Sequence, residues 1–426
     1  MSGEDLDKRN IQTVNDLENA VPSMEVDSQL GGGQPQFRIR GVGLTDYAAN
    51  NTSTVGVYID EVAYPYGVMT QGQLFDIARI EVLRGPQGTL YGRNTTGGAV
   101  SIVTGAPTDY VAAGFNASYG SYDAAKLEGF VSGPVAGTLS ARLAVAAETG
   151  GGWQYHRDTG ETLGDKDTKA LRLRLNWRPS DQTDLDLNVH YSQDKSDGRG
   201  LRLITTPFTS GGGKVYPVDT AHRITGWGIS PYFAQLIGVS PNAKPFRDNE
   251  GKGVSLRLNH DLGWATLTAV AAYEAFDRKE FNDWDATASN EAGTYFFNDI
   301  ETISQEVRLA SNGDGRLQWL AGLYHATEDI DGGFYSDFSE AKNLAFWMST
   351  IYGQKVQTTG AFANVDYRLT DRLTLIGGLR YEDETRELND FKTEVLAPVP
   401  RVNATASKAQ SMGEWTGKIG AEYAFS

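Results

Sequence analysis

The chain of 426 residues contains no cysteine, which excludes disulfides, zinc–thiolate sites, iron–sulfur clusters and thiol nucleophiles. It also lacks an excess of positive charge. Lys and Arg number 38 against 54 Asp and Glu, a net charge of -16, and this argues against a nucleic-acid partner, which wants a basic face. No apolar run approaches the ~20 residues that a transmembrane helix needs. The absence does not exclude a membrane, because β-barrel strands alternate lipid-facing with lumen-facing residues and never show a long apolar run. The opening residues, Met1-Ser2-Gly3-Glu4-Asp5, carry neither the basic nor the apolar region of a secretory leader. No Gly-x-Ser-x-Gly or His-Glu-x-x-His occurs. Arg93–Gly98 and Gly211-Gly212-Gly213-Lys214-Val215 resemble phosphate loops only superficially, since no Gly-Lys-Ser/Thr completes either. The five histidines (156, 190, 222, 260 and 325) are scattered, and all lie beyond Pro107.

Glycine, by contrast, is abundant at 49 residues, and aromatics reach 11%. From Val55 to Thr104, short apolar runs (Val55–Ile59, Ile80–Leu83, Ala99–Val103) alternate with glycine-dense turns. This predicts a small, tightly folded β-rich unit, with the glycines at 85, 88, 92, 97 and 98 marking positive φ or close backbone approach. Upstream, Asp5–Glu18 reads as a helix or turn with Leu6, Ile11, Val14 and Leu17 on a modest apolar face, broken by Pro22. A glycine loop, Gly31–Gly33, leads into Phe37-Arg38-Ile39-Arg40. Pro107 closes the unit, which gives a first domain of residues 1–107 and a second of 108–426.

After Tyr110 the texture changes to period-two segments of about ten residues. In Thr168–Arg178, Leu171, Leu173, Leu175 and Trp177 take one face and Arg172, Arg174, Asn176 and Arg178 the other. Asp184–Tyr191 and Val254–Asn259 repeat the pattern, and about twelve such strands are expected. Pro179–Thr183 and Thr370–Arg372 read as tight turns. Asp194–Gly251, Asn282–Asp299, Glu328–Lys355 and Thr385–Met412 read as long loops, and Trp153, Tyr155, Trp177, Tyr191, Trp264 and Tyr381 as interfacial girdles. Periodicity alone does not separate a barrel from a soluble multi-sheet protein.

Three segments separate them. Ile39-Arg40-Gly41, Tyr58-Ile59-Asp60-Glu61-Val62 and the run Ile80–Gly98 (IEVLRGPQGTLYGRNTTGG) closely resemble, in order, the signatures of the plug domain of TonB-dependent outer-membrane transporters. One departure is Glu61, where that family usually has glycine. The resemblance implies a mainly β fold: a small α/β plug domain inside a transmembrane antiparallel β-barrel. Family barrels have 22 strands, so a chain with about twelve is expected to be the plug and the first part of the barrel. The peptide that engages the energy-coupling TonB–ExbB–ExbD complex is expected before Ser2.

The resemblance also implies site residues. The arginines of the Ile-Arg-Gly and Leu-Arg-Gly-Pro segments, Arg40 and Arg84, are expected to clamp the plug to two barrel glutamates, for which Glu306 and Glu382 are the candidates. Strand parity places Glu306 with Ser304 and Arg308, and Glu382 with Arg380, on the polar face. Tyr47, Tyr64, Tyr66 and Met69 fall in plug-apex loops. There they serve either as a ligand platform or as packing against the barrel wall. Gly41, Glu81, Gly85, Pro86, Tyr91, Gly92, Gly97 and Gly98 are structural members of the plug motif. Asp60 and Glu61, adjacent on a strand, would point to opposite faces and so cannot converge on one metal ion, which favours a structural role. No metal site and no covalently bound cofactor is expected. Iron enters only within a ferric siderophore, the solute most often carried in this family. The expected function is therefore active, TonB-dependent uptake in the outer membrane of a Gram-negative cell, with no chemistry done on the solute. The alternatives are a passive or non-transporting barrel, an enzyme with its site in the long loops, and an inactive gene remnant.

Overall fold

The computed structural model describes residues 1–28, 34–72, 74–205 and 216–425, the side chain of Asp7 excepted. The predicted glycine loop at 31–33 and the segment at 211–215 lie outside these residues. Two β systems make up the described chain, one inside the other.

The inner unit contains two small sheets. Strands β1 (Met24–Ser28), β2 (Pro35–Ile39) and β3 (Val42–Gly43) pair in that order. Strands β4 (Val55–Ile59), β5 (Val62–Ala63), β6 (Ile77–Arg84) and β7 (Gly98–Thr104) pair in the order β5-β4-β7-β6. Its core is apolar and its own: Phe37 and Ile39 from β2 meet Val55, Val57, Ile80, Val100 and Ile102 of the second sheet. The predicted helix over 5–18 is instead two short pieces, a helix at Gly3–Lys8 and a 3-10 turn at Val14–Asn19. Asn10 at φ 53 interrupts the chain, and the Asp16 carboxylate then accepts from the Thr13 backbone N–H (2.8 Å) and the Thr13 hydroxyl (2.9 Å), starting a new turn. Leu6, Ile11, Val14 and Leu17 still reach the core, because two short turns can aim them where one helix would have spread them.

The motif glycines explain how the unit closes. Gly98 has φ +150, and a Cβ there would stand 2.2 Å from the Leu83 carbonyl oxygen, so β6 and β7 approach only over a glycine. Gly41, Gly85 and Gly92 also take positive φ, whereas Gly97 does not.

The outer unit is one continuous antiparallel wall. Its strands are β8 (Ala112–Tyr119), β9 (Ala125–Ala136), β10 (Leu139–Gly150), β13 (Lys166–Ser180), β14 (Thr183–Asp194), β17 (Asn249–Asp261), β18 (Ala265–Asp283), β19 (Gly293–Ser311), β20 (Leu317–Phe338), β21 (Phe346–Arg368), β22 (Leu373–Ala397) and β23 (Arg401–Tyr423). Each pairs with its neighbours in this order, and a two-residue β16 (Phe246–Arg247) joins β18. Register lines up whole rows: Leu143, Leu173, Val189 and Val254 are successive partners on the outer face, and Arg142, Arg174, Asn188 and Ser255 on the inner. The faces are inverted relative to a soluble protein. Leu143, Leu173, Val189, Val254, Val307 and Leu379 are exposed, while Arg142, Arg172, Arg174, Asp186 and Asn188 are buried against the inner unit. That is the pattern of a wall with lipid outside and polar contents inside.

Strand length departs from expectation. The strands run from 8 residues in β8 to 25 in β22, not about ten. The predicted loops at 328–355 and 385–412 are mostly strand, with connections of only 339–345 and 398–400. Beyond the apolar band the outward positions turn polar, as at Asp329 and Asp331 of β20, while Ile330 between them is buried on the inner face. The hydrophobic alternation therefore fades while the backbone ladder, which needs no particular side chain, continues. Between β14 and β17 the long connection does exist. It folds over the long-loop end with β11 (Gln154–His156), β12 (Thr162–Leu163) and β15 (Ile224–Thr225) in a small sheet, and a helix at Pro231–Ile237 capped by Ser230 and Gly238. Trp153 and Tyr155 belong to this cap and not to a girdle. Trp177, Trp264 and Tyr381 do lie exposed on the wall, the last two beside Trp319 and Trp415 respectively.

Candidate functional site

The surface between plug and wall is where charge concentrates. Asp76, just before β6, receives Arg142 of β10 through Nε at 2.9 Å and through a second guanidinium nitrogen, with both side chains at least nine-tenths buried. Such a two-point pair fixes orientation as well as distance. The Asp60 carboxylate accepts from the Thr104 backbone N–H (2.9 Å) and hydroxyl (2.6 Å), tying off β7, and also from Asn188 of β14 (3.1 Å). Arg174 of β13 stands 3.6 Å from Asp60 and bonds Asp186 at 2.8 Å. Next to it, Glu61 meets Arg257 of β17 and Arg308 of β19. Asp60 and Glu61 are the central pair of the β4–β5 turn and not strand neighbours, yet their carboxylates still serve different partners.

One basic plug residue crosses the other way. Arg93 reaches Glu384 of β22 at 2.6 Å and Glu328 of β20, and these two carboxylates are nearly buried. Nothing in the sequence pattern singled it out; the only signal was its place in the turn after Leu90-Tyr91-Gly92. That turn seats on Arg380 of β22, which donates to the Leu90 carbonyl at 3.5 Å and to Glu382 at 2.7 Å. Gly92 takes φ +81, which favours glycine, and a Cβ there would also lie 2.5 Å from the Arg380 guanidinium and push it aside.

The expected clamp is not formed. Among the described residues of this chain, Arg40, in the β2–β3 turn, and Arg84, at the end of the plug strand β6, are both exposed and pair with neither glutamate. Glu306 pairs instead with Arg308 at 2.7 Å, and Glu382 with Arg380. Both glutamates face inward, but their partners come from their own strands. Among the other motif residues, exposed Glu81 pairs with Arg79 (2.7 Å), Pro86 is exposed, and the Tyr91 carbonyl accepts from the Tyr58 hydroxyl at 2.8 Å.

The apex residues divide. Tyr66 and Met69 are buried with Phe276, Ile300, Ile330 and Tyr352 of the wall, so they pack and do not present a platform. Tyr64 is also enclosed: its hydroxyl donates to Glu274 of β18 at 3.0 Å and lies 3.4 Å from His190. Burial, and then the Glu274 carboxylate, hold the Tyr64 phenol well above its ordinary value, so it stays a donor. Only Tyr47 of the four keeps an open face, 46% exposed, with its ring edge-on to Phe334 of β20 at 5.6 Å. The reason is area: a tyrosine gains about 2 kcal/mol or more by burial, and a wall within reach will take it. Between plug and wall lies a cavity of roughly 630 Å³ whose lining includes Tyr58, Glu61, Arg93, Arg257 and Tyr324. Among the described residues no group of three or more His, Asp or Glu is placed to hold a metal ion.

A plug seated on charge inside an inverted β-wall has known counterparts. Residues 1–99 match the TonB-dependent receptor plug domain, and residues 201–426 match the TonB-dependent receptor-like β-barrel. The chain belongs to the TonB-dependent receptor family. It is an outer-membrane β-barrel protein of a family of receptors, its long-loop end outward and its short turns on the periplasmic side. The pesticin receptor of Yersinia enterocolitica is 22% identical over 393 residues, 90% of this chain and 52% of the receptor. The ferric aerobactin receptor of Klebsiella pneumoniae is 24% identical over 417 residues, 89% of this chain and 54% of the receptor. This TonB-dependent receptor chain therefore spans about half the length of the curated relatives it matches. In structure it is similar to the ferric yersiniabactin uptake receptor FyuA of Yersinia pestis (TM-score 0.81, 19% identity, all of this chain and 62% of that one). The siderophore receptor PiuA of Acinetobacter baumannii also shares the fold (TM-score 0.75, 16% identity, all of this chain and 62% of that one).

Proposed function

We propose that the whole protein carries out TonB-dependent active uptake of a ferric siderophore across the outer membrane. The observation that carries this reading is the seating of the plug: a unit with its own apolar core, held to the wall by ion pairs and small, separate apolar contacts, with the Glu61 bridge to Arg257 and Arg308 open to water. A plug built that way moves without coming apart. The ferric aerobactin receptor and the siderophore receptor PiuA, which the chain resembles, are named for the same class of solute. The energy has to come from outside the outer membrane, which holds neither ATP nor an ion gradient, and the TonB–ExbB–ExbD complex is the partner this implies. Tyr47, Phe334 and the cap above them offer the solute an aromatic, outward-facing surface. Iron arrives as part of the solute, the protein needs no resident cofactor, and no bond of the solute is made or broken.

The test is uptake of labelled ferric siderophores by an iron-starved host expressing the full reading frame, with and without the energy-coupling protein. Uptake that depends on coupling supports the proposal. Uptake that is absent, or equal in both strains, sinks it.

A further inference from the structure

The departure at Glu61 is the feature of the plug that the general fold does not require. Asp60 and Glu61 form the two-residue turn joining β4 to β5, with Ile59 opposite Val62 and Tyr58 opposite Ala63. Their φ values are 48 and 72, both left-handed, as a tight hairpin of this length demands. Aspartate tolerates that region and glycine occupies it freely, but glutamate gains nothing there from its backbone and is strained by its Cβ. A glutamate in this position must be held by what its side chain does.

The side chain spans the gap to the wall. One carboxylate oxygen accepts from Arg257 of β17 at 3.0 Å, and the other from Arg308 of β19. Arg257 and Arg308 sit on strands separated by β18, so a single carboxylate ties together two strands that do not touch. Arg308 is itself steadied by Glu306 at 2.7 Å. Glu61 and Arg257 are about one-third exposed and Arg308 about one-quarter, and all three border the cavity between plug and wall. The bridge is thus wet and reversible, unlike the buried pair of Asp76 with Arg142. With glycine at 61 neither contact exists.

We propose that Glu61 is a positioning residue: a charged tip on the β4–β5 hairpin that bridges Arg257 and Arg308 and sets how firmly the plug is seated. This role rests on the reading that the plug moves during uptake. Backbone strain is accepted at the turn in exchange for a contact that forms only when the plug is home. The bridge holds the hairpin without desolvating it, so a pull on the plug breaks it and reseating restores it.

The experiment is amide hydrogen exchange on the purified full-length receptor, at low and high salt, without siderophore or coupling protein. The amides to watch are those of Asp60, which donates to the Ile102 carbonyl at 2.9 Å, and of Tyr64, which donates to Val57 at 2.9 Å. In the wild type, salt should speed their exchange. Glu61→Gln keeps the strained turn and removes the charge; it should speed exchange about three- to tenfold at low salt and flatten the salt response. Glu61→Gly relieves the strain and removes the bridge. Arg257→Gln with Arg308→Gln should match Glu61→Gln, and combining all three should add nothing further. The proposal is overturned if Glu61→Gln exchanges like the wild type, or if Glu61→Gly exchanges more slowly than the wild type, since glutamate would then only be tolerated. Failure of the wild type to take up any ferric siderophore would overturn the uptake reading while leaving an altered exchange pattern in place.

Discussion

The plug's interior and the plug's exterior are held by different forces. Inside, Phe37, Leu17, Ile39 and Ile80 are at most 1% exposed and touch one another, a contact that water does not replace. Outside, Asp60, Glu61, Asp76 and Arg93 meet wall charges, and the apolar contacts are small and separate: Val62 with Val270 and Ala272, Phe75 with Ala144 and Ala146, and the Tyr66–Met69 group against β18–β21. Ion pairs recover much of their energy from hydration when they part, and a buried apolar core does not. The contrast teaches that the fold places its strong, non-exchangeable contacts within the plug and its exchangeable ones at the boundary where a plug would have to slide.

The sharpest way to break this comparison is to strike the core. Phe37→Ala should cost about 3–5 kcal/mol and unfold the plug while the wall ladder survives, read by denaturant unfolding with hydrogen exchange mapped to each unit. An equal loss of protection in β13 and β14 would show that the two units are not separate. Next in size, Arg93→Ala leaves the nearly buried Glu328 without its ion-pair partner, Glu384 keeping Arg386, and should cost about 3 kcal/mol of seating, seen as faster exchange at plug surface amides with core amides still protected. Loss of core protection as well would mean that the boundary holds the plug folded. On the outer face, Leu173→Arg should cost about 2–4 kcal/mol of wall stability, measured by folding into lipid vesicles, and leave plug exchange untouched. The smallest effect is expected at Arg178, half-exposed and 3.3 Å from both Asp109 and Asp184. Arg178→Ala should shift the thermal midpoint by no more than about 0.5–1 kcal/mol equivalent, marking the difference between a charge pair in the lumen and one at the rim.

Much of the architecture was legible because its cause is periodic. Alternation in Thr168–Arg178 and Val254–Asn259 names the outward face of β13 and β17 residue by residue, and the glycine at 98 marks where two backbones touch. Strand ends were not legible, since the outer portions of β20–β22 keep their hydrogen bonds while their side chains lose the regular apolar–polar alternation. The site was read least well. Arg40 and Arg84 are exposed in this half-length chain and meet neither candidate glutamate, and Tyr64, Tyr66 and Met69 take the wall-packing alternative of the two that the sequence left open. Asp76 and Arg93 looked ordinary in sequence, and Glu61 stood out only as a departure from a usual glycine, with no partner indicated.

By itself the sequence determined the two-unit organisation, the β character of both units and the two-faced alternation of the wall strands. These follow from local rules: side-chain period, turn conformation and the cost of positive φ. Which charges meet across the lumen was decided only in three dimensions. Asp76 and Arg142, or Arg93 and Glu328, are brought together by how deep the plug sits and how the wall curves around it, and neither quantity is written in any local stretch of chain.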